Sequence, residues 1–222
     1  MRGNSFKAVI FDFDYTLGDS TNGIVLSVNY ALSKLRYEIS DIEQIKRTIG
    51  LSLKDTYFAL TNDENQENAE TFSKYFKEKA DEIMVDNTML YSDVKSVLLS
   101  LKENGYKIAI VTTKYHYRIE QILNKYQYKE LVDVIVGAED VKIEKPSPEG
   151  LLQAIKELEI EKSDVIYVGD SLVDAKTAEN AQVAFVAVLT GTTTKTEFQN
   201  YHNLCVCRDI KDVFNYILAL EP

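Results

Sequence analysis

The sequence run that decides the fold is Phe6–Leu17, FKAVIFDFDYTL. Its first half, Phe6–Phe11, is almost continuously apolar, which is typical of a strand that is buried on both faces of a sheet. Two carboxylates, Asp12 and Asp14, follow this strand and are separated by a single residue. Because ligands bind beyond the carboxyl ends of parallel strands, this arrangement indicates a polar site at one edge of a parallel sheet.

Apolar runs of strand length recur along the chain and alternate with longer amphipathic stretches. The further runs are Lys107–Val111, Val132–Val136, Val165–Val168, Val183–Val188 and Leu204–Val206. The candidate helices between and after them are Asp93–Glu103, Tyr117–Tyr126, Pro148–Leu158, Leu172–Asn180 and Lys211–Leu220. This alternation predicts an α/β fold, a Rossmann-like doubly wound parallel sheet that is covered by helices on both faces.

One long interval, between the first strand and the second, contains no strand-like run. Residues 20–85 look helical throughout, and Ile24, Val28 and Leu32 recur at helical spacing. The interval predicts a small all-helical domain that is inserted into the α/β core. The expected boundaries are 17–86 for the inserted domain, and 1–16 with 87–222 for the core.

The charge balance argues against several classes of partner. Lys and Arg number 25 and Asp and Glu number 35 among 222 residues, which gives a formal net charge of −10. Such a surface repels nucleic acids and anionic membranes, so neither is expected as a partner, and no obligate protein partner is evident. With two cysteines and two histidines, neither a disulfide framework nor a zinc site of the usual spacing is expected. No membrane span or secretion signal is visible, so the expected location is cytoplasmic.

An acidic residue also ends another predicted strand, since Asp170 follows the run Val165–Val168. Three carboxylates, of Asp12, Asp14 and Asp170, would repel one another strongly unless a cation lay between them. Oxygen ligands suit Mg²⁺, which takes one or two carboxylates together with substrate phosphate and water. The alternative, that an aspartate only caps or turns the chain, is common for one residue but less so for three at one sheet edge.

The remaining strand ends carry groups that suit a phosphoryl ligand. Thr112 and Thr113 follow the second predicted strand and offer hydroxyl and amide groups. Lys145 lies in the loop after the third strand, before Pro146, whose ring restricts Lys145 to an extended conformation. A lysine is a compact charge that can offset a phosphate or an anionic nucleophile, although a loop lysine by itself is more often a solvated surface residue.

These strand-end residues resemble the motifs of the haloacid dehalogenase superfamily. Asp12-Phe13-Asp14-Tyr15-Thr16-Leu17 resembles its first motif, Asp-x-Asp-x-Thr-Leu/Val. Thr112, Lys145 and the run Gly169–Asp174 resemble its second, third and fourth motifs, in the same order along the chain. The helical insertion resembles the family's cap. Together with the run Lys145–Glu149, it is similar to the phosphoglycolate phosphatase and β-phosphoglucomutase branch.

The resemblance implies a role for each matched residue. Asp12 would be the nucleophile, and Asp14 would be the general acid and base. Three residues would hold the phosphoryl group, namely Thr112, Thr113 and Lys145. Mg²⁺ would be held by three carboxylates, those of Asp12, Asp14 and Asp170. Asp174 would orient Lys145 or a metal-bound water.

Two further residues bear on the substrate. Tyr15 stands where the family commonly has Gly. It leaves both aspartates intact, so its expected effect is on the size of the accepted substrate and not on the reaction class. Arg47, just before the run Thr48–Leu53, is a candidate to reach from the cap and hold a substrate anion. An exposed helix arginine is the alternative interpretation.

The leading hypothesis is a Mg²⁺-dependent phosphatase that hydrolyses a small phosphorylated metabolite through an aspartyl-phosphate intermediate. The alternative is a phosphomutase of the β-phosphoglucomutase type, which would share every core residue and isomerise a sugar phosphate. A dehalogenase is disfavoured by Asp14, because the dehalogenases of the superfamily need no leaving-group acid there. A non-catalytic binding protein has no support, since no expected catalytic position is substituted.

Overall fold

A computed structural model of the chain describes residues 6–220. The strands in this range are β1 (Ala8–Phe11), β2 (Gly18–Asp19), β3 (Met89–Leu90), β4 (Lys107–Val111), β5 (Val134–Val136), β6 (Val165–Gly169), β7 (Ala184–Val188) and β8 (Cys205–Cys207). The α-helices are α1 (Thr21–Lys34), α2 (Ile42–Lys46), α3 (Leu53–Thr61), α4 (Gln66–Ile83), α5 (Val94–Glu103), α6 (His116–Tyr126), α7 (Glu149–Glu157), α8 (Leu172–Ala181), α9 (Lys195–Phe198) and α10 (Ile210–Ala219).

The main sheet is parallel and has the strand order β5-β4-β1-β6-β7-β8, so β1 lies between β4 and β6. Phe11 of β1 is in register with Ile110 of β4 and Val168 of β6, so the chain leaves these three strands at nearly the same level of the sheet. All four residues of β1 are buried, as their apolar character predicts. The predicted α/β fold is therefore confirmed.

Apolar side chains fill both faces of the sheet. On one face, Ile10 belongs to a core cluster that includes Leu151 of α7 and Ala178 of α8. Val9 and Phe11 alternate with Ile10 along β1 and point to the opposite face, yet they are also fully buried. Helices therefore cover the sheet on both sides, and the packing and pairing of β1 set the position of the residues that follow it.

Element boundaries differ from the predicted ones by one or two residues. β5 begins at Val134 and not at Val132, because a 3₁₀ turn precedes it and Val132 N donates to Lys129 O at 3.1 Å. α7 begins at Glu149, and Pro148 is its N-cap rather than its first residue. Local hydrogen bonding by the preceding turn, which the apolar pattern does not encode, sets these limits.

The chain divides into two compact units. The first contains the described residues up to Gly18 and those from Leu90 onward, and the second is Asp19–Met89. The second unit contains α1 to α4, whose buried side chains, Phe72 among them, form a separate core. Its range overlaps the predicted insertion at residues 17–86, and its identity as a cap stays a prediction.

A residue in the left-handed conformation follows two helices of the second unit. α1 ends at Lys34, just before Arg36, which has a φ of 63°, and α3 ends before Asn62, which has a φ of 53°. Asp63 follows and accepts hydrogen bonds from the Tyr37 hydroxyl at 2.8 Å and from Tyr57, which connects this turn to the helical core. Within residues 6–220, none of the helices combines the length and the apolar character that a membrane crossing needs.

Candidate active site

Predicted site residues meet at the carboxyl ends of three adjacent strands. Asp12 follows β1, Thr112 follows β4 and Asp170 follows β6, and all three are buried. Strand pairing continues through the first two of these residues, because Asp12 N donates to Val168 O at 2.8 Å and Thr112 N donates to Val136 O at 3.0 Å. The sheet therefore fixes the backbone from which these side chains extend.

Lys145 comes from the loop before α7, and its ammonium group lies between two carboxylates. Nζ donates to Oδ1 of Asp12 at 2.7 Å and to Oδ1 of Asp174 at 2.6 Å. The side chains of Lys145, Asp12 and Asp174 are 4%, 4% and 0% exposed. Burial alone would lower the pKa of Lys145, but the attraction of Asp12 and Asp174 outweighs burial and raises this pKa well above its usual value. Lys145 therefore stays charged beside Asp12.

Hydrogen bonds occupy both carboxylate oxygens of Asp174. Oδ1 accepts from the Tyr167 hydroxyl at 2.7 Å as well as from Lys145, and Oδ2 accepts from the hydroxyl and the backbone N of Ser171. Asp174 N donates back to Ser171 Oγ, which completes a capping box at the start of α8. This geometry favours orientation of Lys145 by Asp174 over direct contact of Asp174 with a metal.

Asp14 lies two residues after Asp12 but has a different partner. Its Oδ2 is 3.0 Å from Nζ of Lys114, and the side chains of Asp14 and Lys114 are 12% and 5% exposed. Burial lowers the pKa of Lys114, and the attraction of Asp14 limits that decrease. Sequence reasoning misses Lys114 as a site residue. The one available signal was its place two residues after Thr112, at a strand end.

The same loop orients the hydroxyl of Thr112. Lys114 N donates to Oγ1 of Thr112 at 3.2 Å. Because the oxygen accepts this bond, the hydroxyl proton can be donated to a ligand oxygen. Thr113, the next residue, is half-buried, and its contact with a phosphoryl group stays a prediction.

Asp12 and Asp170 crowd negative charge into a buried place. Carboxylate oxygens of Asp12, Asp170 and Asp174 lie within 4.8 Å of one another, a group that could hold a metal ion. Burial raises the pKa of Asp12 to about 7 despite the attraction of Lys145, and the Asp174 carboxylate adds to the increase. Burial and the neighbouring carboxylates also raise the pKa of Asp170 well above its usual value. A cation at this place would keep both carboxylates ionised at neutral pH.

The residues present fit a divalent cation in charge and in ligand type. Four aspartates and two lysines lie here, and the lysines contact three of the aspartates. They are Asp12, Asp14, Asp170 and Asp174, with Lys114 and Lys145. Two negative charges remain, which one divalent cation would balance. All candidate ligand atoms are oxygens, the type that Mg²⁺ prefers. Oδ1 of Asp14 is buried and has no hydrogen-bond partner within residues 6–220, so it is open to a cation or a substrate.

Tyr15 and Arg47 occupy different surroundings. Tyr15 is buried and has a φ of 59°, a left-handed conformation that glycine adopts with less strain. Its N donates to Gly18 O at 2.7 Å and its O accepts from Thr190, which holds this turn closed. Arg47 is exposed and follows α2 in the second unit. The predicted effects of both residues on the substrate stay predictions.

A family model described as haloacid dehalogenase-like hydrolase matches residues 9–188. The matched range contains the strand ends that carry Asp12, Thr112 and Asp170, together with the loop of Lys145. The chain therefore belongs to the haloacid dehalogenase-like hydrolase family, as its motifs indicate.

Individual relatives agree with the family. The PpaX protein of Caldanaerobacter subterraneus subsp. tengcongensis is 34% identical over 182 residues, which are 82% of this chain and 80% of that protein. Pyrophosphatase PpaX of Bacillus cereus strain B4264 is 31% identical over 182 residues, 82% of each chain. Among solved structures, a haloacid dehalogenase-like protein from Bacteroides fragilis is 39% identical, with a TM-score of 0.91 over 94% of this chain and 99% of that one. A protein from Clostridium acetobutylicum that is named a predicted phosphatase is 26% identical, with a TM-score of 0.90 over 96% and 99%. The chain is accordingly an enzyme of the family's phosphatase branch.

Proposed function

We propose that this enzyme is a Mg²⁺-dependent phosphatase that hydrolyses a small phosphorylated metabolite through an aspartyl phosphate on Asp12. The observation that carries the proposal is the buried ion pair between Asp12 and Lys145, 2.7 Å long, at the end of the central strand. A carboxylate nucleophile splits one difficult hydrolysis into two easier steps. The fixed lysine beside it supports attack on an anionic group.

In the first step, a carboxylate oxygen of Asp12 attacks phosphorus in line with the departing oxygen. The bond from Asp12 to phosphorus forms, the bond from phosphorus to the substrate oxygen breaks, and Asp14 gives that oxygen a proton. Lys145 holds Oδ1 of Asp12 and offsets its repulsion from the phosphoryl group. The Thr112 hydroxyl donates to a phosphoryl oxygen.

In the second step, the ionised Asp14 takes a proton from a water molecule, whose oxygen attacks phosphorus. The bond from phosphorus to Asp12 then breaks, phosphate leaves, and both aspartates return to their starting states. The buried Oδ1 of Asp14 is the oxygen suited to both proton transfers, because Oδ2 is paired with Lys114.

The residues that we propose to hold Mg²⁺ are Asp12, Asp14 and Asp170. Asp12 and Asp170 would bind it through their carboxylates and Asp14 through its backbone oxygen, because Lys114 and the proton transfers use both carboxylate oxygens of Asp14. When bound, the ion supplies positive charge that offsets the charge of the nucleophile and of the phosphoryl oxygens. Asp170 accepts a hydrogen bond from Thr16 Oγ1 at 3.4 Å, which links the ends of β1 and β6. Asp174 acts on the reaction through Lys145, which it holds against Asp12.

The substrate that we propose is a small molecule with a phosphoryl group on oxygen. The relative from Bacillus cereus is named a pyrophosphatase, so inorganic pyrophosphate is the first compound to test. Phosphorylated sugars and other phosphate monoesters complete the panel, with phosphate release as the readout. A sugar phosphate that is isomerised without net phosphate release would identify the phosphomutase alternative.

Variants of the two aspartates test the different roles that we propose for them. We expect Asp12→Asn to show neither turnover nor protein-bound phosphate, because the nucleophile is gone. We expect Asp14→Asn to form the aspartyl phosphate from 4-nitrophenyl phosphate and then to hydrolyse it slowly, since a good leaving group needs little protonation while water still needs a base. Rapid quench with Mg²⁺ present measures the burst, and peptide mapping locates the phosphate.

Asp164→Asn is the matched control, since Asp164 lies just before β6, at the opposite end of the strand from Asp170. It should keep wild-type turnover. A burst in Asp12→Asn, or phosphate mapped to Asp14, would contradict the assignment and would exchange the two roles. No phosphate release by the wild type on any compound of the panel would reject the proposed function.

A further inference from the structure

Lys114 forms a buried ion pair with Asp14. The distance from Nζ to Oδ2 is 3.0 Å, and the lysine side chain is only 5% exposed. Burying a lysine costs free energy that only a close opposite charge offsets. The contact with Asp14 therefore stabilises the buried charge of Lys114. Asp14 is also the residue to which we assign proton transfer.

The ion pair makes the two oxygens of Asp14 different. Oδ2 lies against Lys114, whereas Oδ1 is buried and has no hydrogen-bond partner among the described residues. A carboxylate that is free to rotate could present either oxygen to a substrate. Here the lysine holds one oxygen and leaves the other open.

Backbone hydrogen bonds hold Lys114 itself in place. Its N donates to Thr112 Oγ1 at 3.2 Å, and its O accepts from Ala138 N at 3.1 Å. The loop after β4 is thus tied to the loop after β5, and Lys114 starts from a fixed backbone. The side chain can therefore act as a support for Asp14.

We propose that Lys114 is a positioning residue that fixes Asp14 so that its Oδ1 meets the departing oxygen of the substrate. The inference rests on the proposed function, because it requires Asp14 to protonate the leaving group. It follows that substrates whose leaving oxygen is basic need Lys114, and that substrates whose leaving group departs readily as an anion do not.

A series of aryl phosphates tests this inference with Mg²⁺ present. The probes run from 4-nitrophenyl phosphate to phenyl phosphate, whose leaving group is the more basic. The quantity measured is kcat/KM, which covers the steps up to departure of the leaving group. The variants are Lys114→Met, Lys114→Arg, Asp14→Asn and the double variant Lys114→Met/Asp14→Asn. Lys107→Met, at the start of the same strand, is the matched control.

For Lys114→Met we expect kcat/KM on phenyl phosphate to fall by about 10²-fold, the lower end of what a general acid contributes, and on 4-nitrophenyl phosphate by less than about fivefold. The dependence on leaving-group basicity should steepen as in Asp14→Asn. Lys114→Arg should restore part of the loss on phenyl phosphate, and Lys107→Met should match the wild type. The double variant should be no slower than Asp14→Asn, because Lys114 acts through Asp14.

The inference would be overturned if Lys114→Met lowered kcat/KM equally on both esters. It would also be overturned if the double variant were slower than Asp14→Asn by the full factor seen for Lys114→Met. A dependence of kcat/KM on leaving-group basicity that is the same in Lys114→Met as in the wild type would overturn it too. If Lys114→Met does not fold, the double variant is used instead, because it leaves neither charge of the ion pair unpaired. Comparing its kcat/KM with that of Asp14→Asn then tests the inference. Failure of the proposed function is distinct, since Asp14→Asn would then show no steeper slope than the wild type.

Discussion

The two aspartates that follow β1 are held by different lysines. Asp12 pairs with Lys145, which a second carboxylate also fixes, whereas Asp14 pairs with Lys114 through one oxygen. Two carboxyl groups in different surroundings can take different parts in one reaction. This difference agrees with the proposed roles, in which Asp12 attacks phosphorus and Asp14 transfers protons.

Mg²⁺ should stabilise the protein more at about pH 8 than at about pH 5. The pKa of Asp12 is about 7 in the folded protein against 3.8 for an unperturbed aspartate. Folding therefore favours the protonated form, and the stability it contributes is present below pH 3.8 and is lost as the pH rises through 7. At the higher pH the ionised carboxylates repel each other, and a divalent cation removes that cost. The measurement is the Tm difference between Mg²⁺ and chelator at the two pH values.

In Asp170→Asn this difference should shrink at about pH 8, because one of the crowded charges is gone. Asp164→Asn, at the opposite edge of the sheet, should behave as the wild type. A Tm difference that is the same at both pH values in the wild type would show that the carboxylates of Asp12 and Asp170 do not bind the cation.

For single residues, the sequence predicts which side chains lie at the site but not which of them form ion pairs. The strand-end positions of Asp12, Asp170 and Thr112 are legible because each follows an apolar run. The pairing of Asp12 with Lys145 joins residues 133 positions apart, and the burial of Lys114 depends on the packing of two loops. Neither leaves a local pattern, so the contact of Lys114 with Asp14 is seen only in the folded structure.

The turn between β6 and α8 joins the sheet to Asp174, which together with Asp12 contacts Lys145. Asp174 is the third residue of α8, and its Cβ packs against the last residue of β6, Gly169. An added Cβ on Gly169 would lie 2.5 Å from Cβ and from Cγ of Asp174, a distance that such atoms do not adopt. Glycine is therefore needed here because of the close approach of Asp174.

Gly169→Ala should lower kcat/KM by at least about tenfold. The new methyl group displaces Asp174, which then no longer holds Lys145 against Asp12, and misplacement of a supporting group by about 1 Å can cost 10²-fold in rate. The measurement is phosphate release well below the Tm of the variant, so that loss of folded protein does not contribute.

Gly105→Ala is the control for loss of stability. Gly105 has a φ of 83° after α5, and no atom lies within 4 Å of its added Cβ. Its substitution strains the backbone by about 1 kcal/mol and should lower the Tm while activity is kept. Wild-type kcat/KM in Gly169→Ala would show that Asp174 does not position Lys145.

Elements of the sheet could be predicted because buried strands of Val and Ile are continuous apolar runs. The ends of the helices and the short strands in and around the second unit were harder to predict. The turn at Arg36 uses a left-handed residue that is not glycine, and the strands β2 and β3 have two residues each, too few for any periodicity. Such short elements depend on their partners for stability and not on their own sequence.

At the scale of the whole molecule, the charged residues with buried contacts at the site all belong to the first unit. The second unit supplies one predicted contributor, Arg47. The net charge of −10 opposes the approach of any phosphorylated compound, so local cations have to offset it. We propose that Lys145 and a bound Mg²⁺ do so for the phosphoryl group, and Arg47 is the candidate for a second anion on the substrate.

Arg47→Ala should raise KM by about tenfold for a substrate that carries a second anionic group, and should leave 4-nitrophenyl phosphate unchanged. One charged hydrogen bond to an anion contributes about 1.5–3 kcal/mol, so its loss is measurable in KM. Arg36→Ala, an exposed arginine of the same unit, is the control. Equal KM values for wild type and Arg47→Ala with every substrate would assign Arg47 to the solvated surface.

The position of β1 has a consequence for how the chain folds during synthesis. Ala8 pairs with Lys107 on one side and with Val165 on the other, so the central strand leaves the ribosome long before either neighbour exists. The contacts among α1 to α4 lie within Asp19–Met89 and can form while β4 is still being translated. The high contact order of β1 makes its pairing a late and slow event. Asp12 is made 133 residues before Lys145, so we expect the surroundings of its carboxylate to be complete only after translation has passed Asp174.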